Sequence, residues 1–188
     1  TSYRPISLLS CLAKIMERII QSRLVWHLES NGCFSPDQSG YRAGRSTMDP
    51  LISLESDIQT TLRNKKFLMV VFLDIQSAFD SASHSVILVK LSKLGIRGRM
   101  LRWISSFLSG RTFSVSIGAS FSDLCTAKSG VPQGSILSPI LFNVLMHDVP
   151  NDPDTKKSIY ADDIMLWAVG SKIDDVTELT AKLQESVD

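Results

Sequence analysis

The sequence predicts an α+β domain: a small sheet with a largely helical extension ahead of it. Three observations point there. Ile6 to Leu28 places Leu9, Leu12, Ile15, Met16, Ile19, Ile20 and Leu24 at helical spacing. Phe67 to Leu73 is an apolar, partly β-branched run that ends at Asp74. Two short apolar arms, Ser158-Ile159-Tyr160 and Ile164-Met165-Leu166-Trp167, flank Asp162-Asp163 in the manner of a hairpin with acids at its turn.

The elements follow in order. Asn31-Gly32 ends the first helix. Ser35 to Thr47 is polar and Gly-rich, hence loop or irregular hairpin, and Met48 to Leu62 has the spacing of a second helix. The run ending at Asp74 is expected to be a buried strand. Ser85 to Leu94 and Arg99 to Leu108 are expected helices, broken by Gly95 and Gly98. Arg111 to Gly118 alternates as a strand, with Ser122 to Ala127 as its partner. Ser129 to Ser135 is a Gly/Pro loop. Pro139 to Val149 is a helix with proline suited to its first turn. A last helix starts at Ile173 and runs to Asp188.

The chain has 188 residues and 44% hydrophobic content, enough for one domain with a substantial core or one and part of another. No stretch approaches the roughly 20 uninterrupted apolar residues of a membrane span, and no signal peptide is visible. Net charge is only +1, but it is unevenly spread. Asp148 to Asp188 holds ten acids and four lysines, a balance of −6, against +7 for the remainder. An acidic segment around paired carboxylates beside a basic remainder suits a metal site next to a polyanion, although ordinary surface variation gives the same asymmetry. Cys11, Cys33 and Cys125 are widely spaced, which favours small core residues in a reducing compartment over ligands or disulfides. His27, His84 and His147 are scattered, and structural or surface roles are expected for them.

Paired acids on a rigid turn offer hard oxygen ligands to Mg²⁺ while leaving room for substrate phosphates. Aspartate is also common in turns because it bonds nearby amides. Asp74 is the third acid. Its position at a strand end can bring it to Asp162 and Asp163, although capping a following helix is the alternative. Divalent ions bridged by three such acids suit in-line phosphoryl transfer.

Six stretches, in order, give a resemblance. They are Tyr3-Arg4-Pro5-Ile6-Ser7, Gly40 through Thr47, Phe72-Leu73-Asp74-Ile75-Gln76-Ser77-Ala78-Phe79-Asp80, Ser129-Gly130-Val131-Pro132-Gln133-Gly134-Ser135, Leu137-Ser138-Pro139 and Tyr160-Ala161-Asp162-Asp163. From about Tyr3 to Trp167 the chain resembles the reverse transcriptase domain of non-LTR (LINE-type) retrotransposons. The resemblance implies a right-hand polymerase, with mostly helical fingers over residues 1–66 and an antiparallel palm sheet packed by helices over 67–188. It implies RNA-directed DNA polymerisation: attack of a primer 3′-hydroxyl on a dNTP, assisted by two Mg²⁺ ions, with Mn²⁺ as a substitute. Asp74 and Asp162 would be the principal metal ligands and Asp163 the third catalytic acid, with Ile75 also at the metal and dNTP.

Other roles follow from the same resemblance. Arg4 would contact the triphosphate, its guanidinium forking onto phosphate oxygens. Phe79 would be an aromatic gate beneath the deoxyribose, excluding a 2′-hydroxyl. Gln133 and Gly134 would line the dNTP, and Gly130, Pro132 and Tyr160 the template and primer. Arg42 and Arg45 would meet template phosphates. Each has a plainer alternative: a surface arginine, a core phenylalanine at helical spacing, a strand-to-helix turn, solvated loop arginines.

Expected partners are an RNA template, a DNA primer, dNTPs and the element RNA in a ribonucleoprotein, with no membrane. An intracellular location, nuclear and cytoplasmic, is expected from the family alone. The sequence starts inside the first motif and stops before the family's later palm motif and thumb, so a fragment with little activity of its own is expected. The rival expectation is a non-catalytic relic that folds and binds template RNA. Intact Asp74, Asp162, Asp163, Phe79 and Gly130 to Gly134 argue against it.

Overall fold

The structure, a computed structural model, describes residues 5–149, 155–171, 177, 180 and 181. In chain order the elements are α1 (Cys11–Ser30), α2 (Met48–Arg63), β1 (Phe67–Asp74), α3 (Ala78–Ser81), α4 (His84–Lys93), α5 (Gly98–Leu108), β2 (Thr112–Phe113), β3 (Ser116–Ile117), β4 (Ser120–Phe121), β5 (Cys125–Thr126), α6 (Ser138–Leu145), β6 (Lys156–Tyr160) and β7 (Asp163–Gly170). They fall into two compact units, Thr1–Cys33 with Ser77–Leu145, and Phe34–Gln76 with Met146–Asp188. Most of the expected helix from Ile173 lies outside the described residues; Thr177, Thr180 and Ala181 are helical.

The first unit is helical. α1 begins at Cys11 rather than near Ile6, because the Ser10 hydroxyl accepts from the Ala13 amide at 3.1 Å and caps it there. It ends where the Asn31 side chain donates to the His27 carbonyl at 2.7 Å. Leu24 and Leu28 join Ile87, Leu91, Ile104, Leu108, Leu137 and Leu141 in a fully buried core. Leu8, Leu12, Ile15 and Ile19 face solvent instead, and the buried side of α1 carries Glu17. His27 Nε2 bonds the Leu94 carbonyl at 3.0 Å, and His84 Nε2 the Gly130 carbonyl at 2.7 Å, so both have structural roles.

α6 stops at Leu145 rather than Val149, where the Lys90 ammonium takes up the Leu145 carbonyl at 2.5 Å. The expected pairing of Arg111–Gly118 with Ser122–Ala127 is present as β2 on β5, with β3 and β4 forming the tip. The cysteines are not core residues. Cys11 opens a helix and Cys125 lies on a two-residue strand, both exposed, and Cys33 is half-buried; all are free.

The second unit is a three-stranded antiparallel sheet ordered β1-β7-β6. β1 is not a buried strand as expected. It is an edge strand, and Phe67 and Phe72 stay exposed; the buried central strand is β7. Ile159, Ile164, Leu166 and Ala168 are buried. α2 packs against the sheet through Asp57, which accepts from Trp167 Nε1 at 2.7 Å and from Lys156 Nζ at 2.8 Å. Burial opposes ionisation of Asp57, but these two donors outweigh it and hold its carboxyl below the usual range.

Candidate active site

The acids stand at one end of the second unit's sheet. β1 pairs with β7 so that Asp74 lies directly across from Asp163, and β6 pairs so that Tyr160 also faces Asp163. Directly opposed residues on antiparallel strands share a face, with Cβ atoms about 5 Å apart. Ala161 and Asp162 form the two-residue loop between β6 and β7. Ala161 has φ 57, a left-handed conformation that costs a non-glycine residue about 1 kcal/mol. Trp167, under α2, is four residues further along β7, roughly 13 Å away on the same face. The helix therefore covers one end of that face and leaves the acidic end open. Asp74 and Asp163 are exposed, Asp162 is half-exposed, and none of the three carboxylates has a hydrogen-bonding or ionic partner among the described residues.

A second segment fixes that turn. Residues 37–39 run parallel to β6: the Ile159 amide donates to the Asp37 carbonyl at 2.9 Å, and the Ser39 amide to the Ile159 carbonyl at 2.8 Å. Gly40 then passes so close to the turn that a Cβ on it would lie 2.3 Å from the Ala161 nitrogen. Only glycine fits. Arg42 spends its guanidinium within this loop, donating to the carbonyls of Ser35 at 2.9 Å and Gln38 at 3.0 Å and lying 5.2 Å from the centre of the Phe34 ring. Arg45 is exposed.

Ile75 follows Asp74 in the second unit, while Phe79, Gly130, Pro132, Gln133 and Gly134 lie in the first, where three distant segments are woven together. The Val131 amide donates to the Phe79 carbonyl at 2.7 Å, the Gly130 amide to the Ala82 carbonyl at 2.8 Å, and the Ser7 amide to the Gln133 carbonyl at 2.7 Å. Gly130, at φ +85, leaves no room for a side chain: a Cβ would lie 2.7 Å from the Asp80 carbonyl oxygen. Pro132 is buried. The Phe79 ring is half-buried and stacks on Phe142 at 5.1 Å between centroids. Gln133 Nε2 sits 3.4 Å from both Asp80 carboxylate oxygens.

Sequence reasoning missed Glu17, Asp80, His84 and Phe142 as members of this cluster. Their signal is spatial, since none lies in a recognisable spacing with its partners. Arg4 lies outside the described residues. A cavity of about 470 Å³ near Arg23, Trp26, His27, Gly95 and Arg97 contains none of the predicted residues, so it is not where this chemistry sits.

Asp74, Asp162 and Asp163 fit a hard divalent ion in donor chemistry, being oxygen ligands that no cation among the described residues claims. Two of them are set face to face by register. Among the described residues, no group of three or more His, Cys, Asp or Glu side chains is gathered closely enough to hold a metal. No helix among the described residues is long and apolar enough to cross a membrane.

Helices with a small antiparallel sheet that bears, at a hairpin turn, acids with no partner among the described residues are the features of a polymerase-type fold. Residues 1–187 match the family model described as reverse transcriptase (RNA-dependent DNA polymerase), and the chain belongs to that family. It is 35% identical over 195 residues to the RNA-directed DNA polymerase from mobile element jockey of Drosophila melanogaster, covering 100% of this chain and 21% of that protein. It is 37% identical over 169 residues to the probable RNA-directed DNA polymerase from transposon X-element of the same species, covering 87% of this chain and 18% of that protein. The chain thus spans about a fifth of the length of these relatives. Among solved structures, telomerase from Candida albicans in complex with a fragment of telomeric RNA shares the fold, with a TM-score of 0.63 and 15% identity over 93% of this chain and 32% of that one. The expected resemblance to non-LTR reverse transcriptases and the fingers-palm fold class are both borne out.

Proposed function

We propose that the chain is the nucleotidyl-transfer core of an RNA-directed DNA polymerase of the non-LTR type, with residues 1–66 as fingers and 67–188 as palm. It extends a primer 3′-hydroxyl with dNTPs against an RNA template. The observation that carries this is the register setting Asp74 across from Asp163 beside the Asp162 turn, in a chain that matches the family along residues 1–187.

Asp74 and Asp162, with Asp163 and the backbone at Ile75, would hold divalent ions. When bound, such ions supply Lewis acidity to the 3′-hydroxyl and charge neutralisation to the leaving pyrophosphate. The protein's own groups do the rest. Arg4 grips the triphosphate, Phe79 bars a 2′-hydroxyl, and Gln133 and Gly134 orient sugar and base. Gly130 and Pro132 keep the wall thin, while Tyr160 faces the primer and Arg42 and Arg45 the template backbone. Relatives described as RNA-directed DNA polymerases support RNA as the template.

The test is primer extension on an RNA template with dNTPs and Mg²⁺, using the polymerase that carries this chain. Extension is expected, falling about a thousandfold or more in Asp162→Asn, as loss of several kcal/mol of charge stabilisation requires. RNA binding without extension would favour the non-catalytic relic; undiminished extension by Asp162→Asn would refute the ligand assignment.

A further inference from the structure

Glu17 is 1% exposed, on the buried side of α1. Its Oε2 accepts three hydrogen bonds, from the Ser135 hydroxyl at 2.5 Å and from the amides of Ile136 at 2.8 Å and Leu137 at 3.2 Å. The Ser135 hydroxyl oxygen in turn accepts from the amides of Leu137 at 3.1 Å and Ser138 at 3.2 Å. Serine and glutamate together take up the N–H groups of Ile136, Leu137 and Ser138, leading into α6. Serine alone is an adequate cap for a helix start. Glu17 Oε1 is buried without a hydrogen-bond partner among the described residues, and a half-satisfied buried carboxylate is costly. A carboxylate reaching across 118 residues therefore does more than cap.

What it adds is a fixed position for the segment just before Ser135. The Gln133 carbonyl accepts from the Ser7 amide at 2.7 Å. Gly134, at φ +106, packs so that a Cβ would meet the Ser7 carbonyl oxygen at 3.0 Å. Residues 133 and 134 are thus clamped between the backbone at Ser7 and the carboxylate behind Ser135. The Glu17 charge also reaches Arg111, partly offsetting the depression that burial imposes on that guanidinium.

We infer that Glu17 is a positioning residue: by holding Ser135 and the amides of Ile136 and Leu137, it sets where Gln133 and Gly134 meet the incoming nucleotide. The inference rests on the polymerase function proposed above. It concerns substrate geometry, so its signature lies in KM for dNTP rather than in folding alone.

The experiment uses the polymerase carrying this chain, extending oligo(dT) on poly(rA) with dTTP. Glu17→Gln keeps one oxygen to accept the bonds and removes the charge that strengthens them. Ser135→Ala removes the hydroxyl and leaves the carboxylate. Each is expected to raise KM for dTTP about tenfold with little change in kcat, on the scale of one charge-assisted bond lost. The double variant should be no worse than about either single one, because both act through one contact. Hydrogen exchange at the amides of Ile136 and Leu137 should quicken in Glu17→Gln. A lowered Tm with unchanged KM in both variants would overturn the inference and leave only a capping role. No extension by the wild-type protein would be a different failure, that of the polymerase function itself.

Discussion

The two units solve opposite problems. The second unit (Phe34–Gln76 and Met146–Asp188) carries 15 acids and 9 basic residues, and presents Asp74, Asp162 and Asp163 with no partner among the described residues. The first (Thr1–Cys33 and Ser77–Leu145) carries 4 acids and 11 basic residues, and its buried acid is drawn into a hydrogen-bonded weave. Strand register places the acids of the second unit and leaves their oxygens available. Side-chain capture of backbone amides places the loop of the first. On the function proposed above, the groups that act through charge are held by their backbone and those that act through shape by their neighbours.

The largest way to break this contrast is Gly40→Ala. A methyl there strikes the backbone of the acid turn rather than a flexible side chain. Extension should fall about a hundredfold or more even where the protein folds, because a small misplacement of catalytic groups costs that much. A fully active Gly40→Ala would show that the turn is not held by the neighbouring loop.

Phe79→Ala comes next and probes the other unit. It removes the stack on Phe142, with a stability loss of about 2 kcal/mol for a half-buried ring. Ribonucleotide incorporation, measured against dNTP, should rise about tenfold or more if the ring bars the 2′-hydroxyl. Lost stability with unchanged sugar selectivity would make it a packing residue only.

The smallest effect belongs to Asp57→Asn, expected to cost about 1 kcal/mol in chemical denaturation, since Lys156 is largely solvated and only the Trp167 bond is sheltered. The sign of its pH dependence is fixed by a carboxyl held below its ordinary value in the folded state. Its contribution is complete above the unfolded value of about 4 and fades as pH falls through the folded one. The variant should thus lose less stability than wild type on acidification below pH 4.

The same contrast explains what was legible in the sequence. The strand ending at Asp74 and the hairpin around Asp162-Asp163 were visible because an apolar, partly β-branched run and a local turn are written in adjacent residues. α2 was visible from its helical spacing and the β2–β5 pairing from strand alternation, both of them local patterns. The exposure of β1 was not, because an edge and a centre strand can carry the same apolar run, and only strand order separates them. Nor were Glu17, Asp80 and Phe142 visible. Their partners lie 118, 53 and 63 positions away in the chain, and no periodicity links them. The cysteines were misjudged because a small apolar residue is a poor guide to burial at helix starts and two-residue strands.

Glu17 also sets a clock on synthesis. Ser135 is translated 118 residues after it, roughly 6–24 s later at 5–20 residues per second. Throughout that interval the carboxylate of α1 lacks its partner, Leu24 and Leu28 lack their neighbours on α4 and α5 for the first part of it, and the outward Leu12 and Ile15 are bare as well. The nascent chain must keep its first helix from premature association until more than two-thirds of this sequence has been made. Translation speed and chaperone supply, as much as sequence, then decide how much folded protein is recovered.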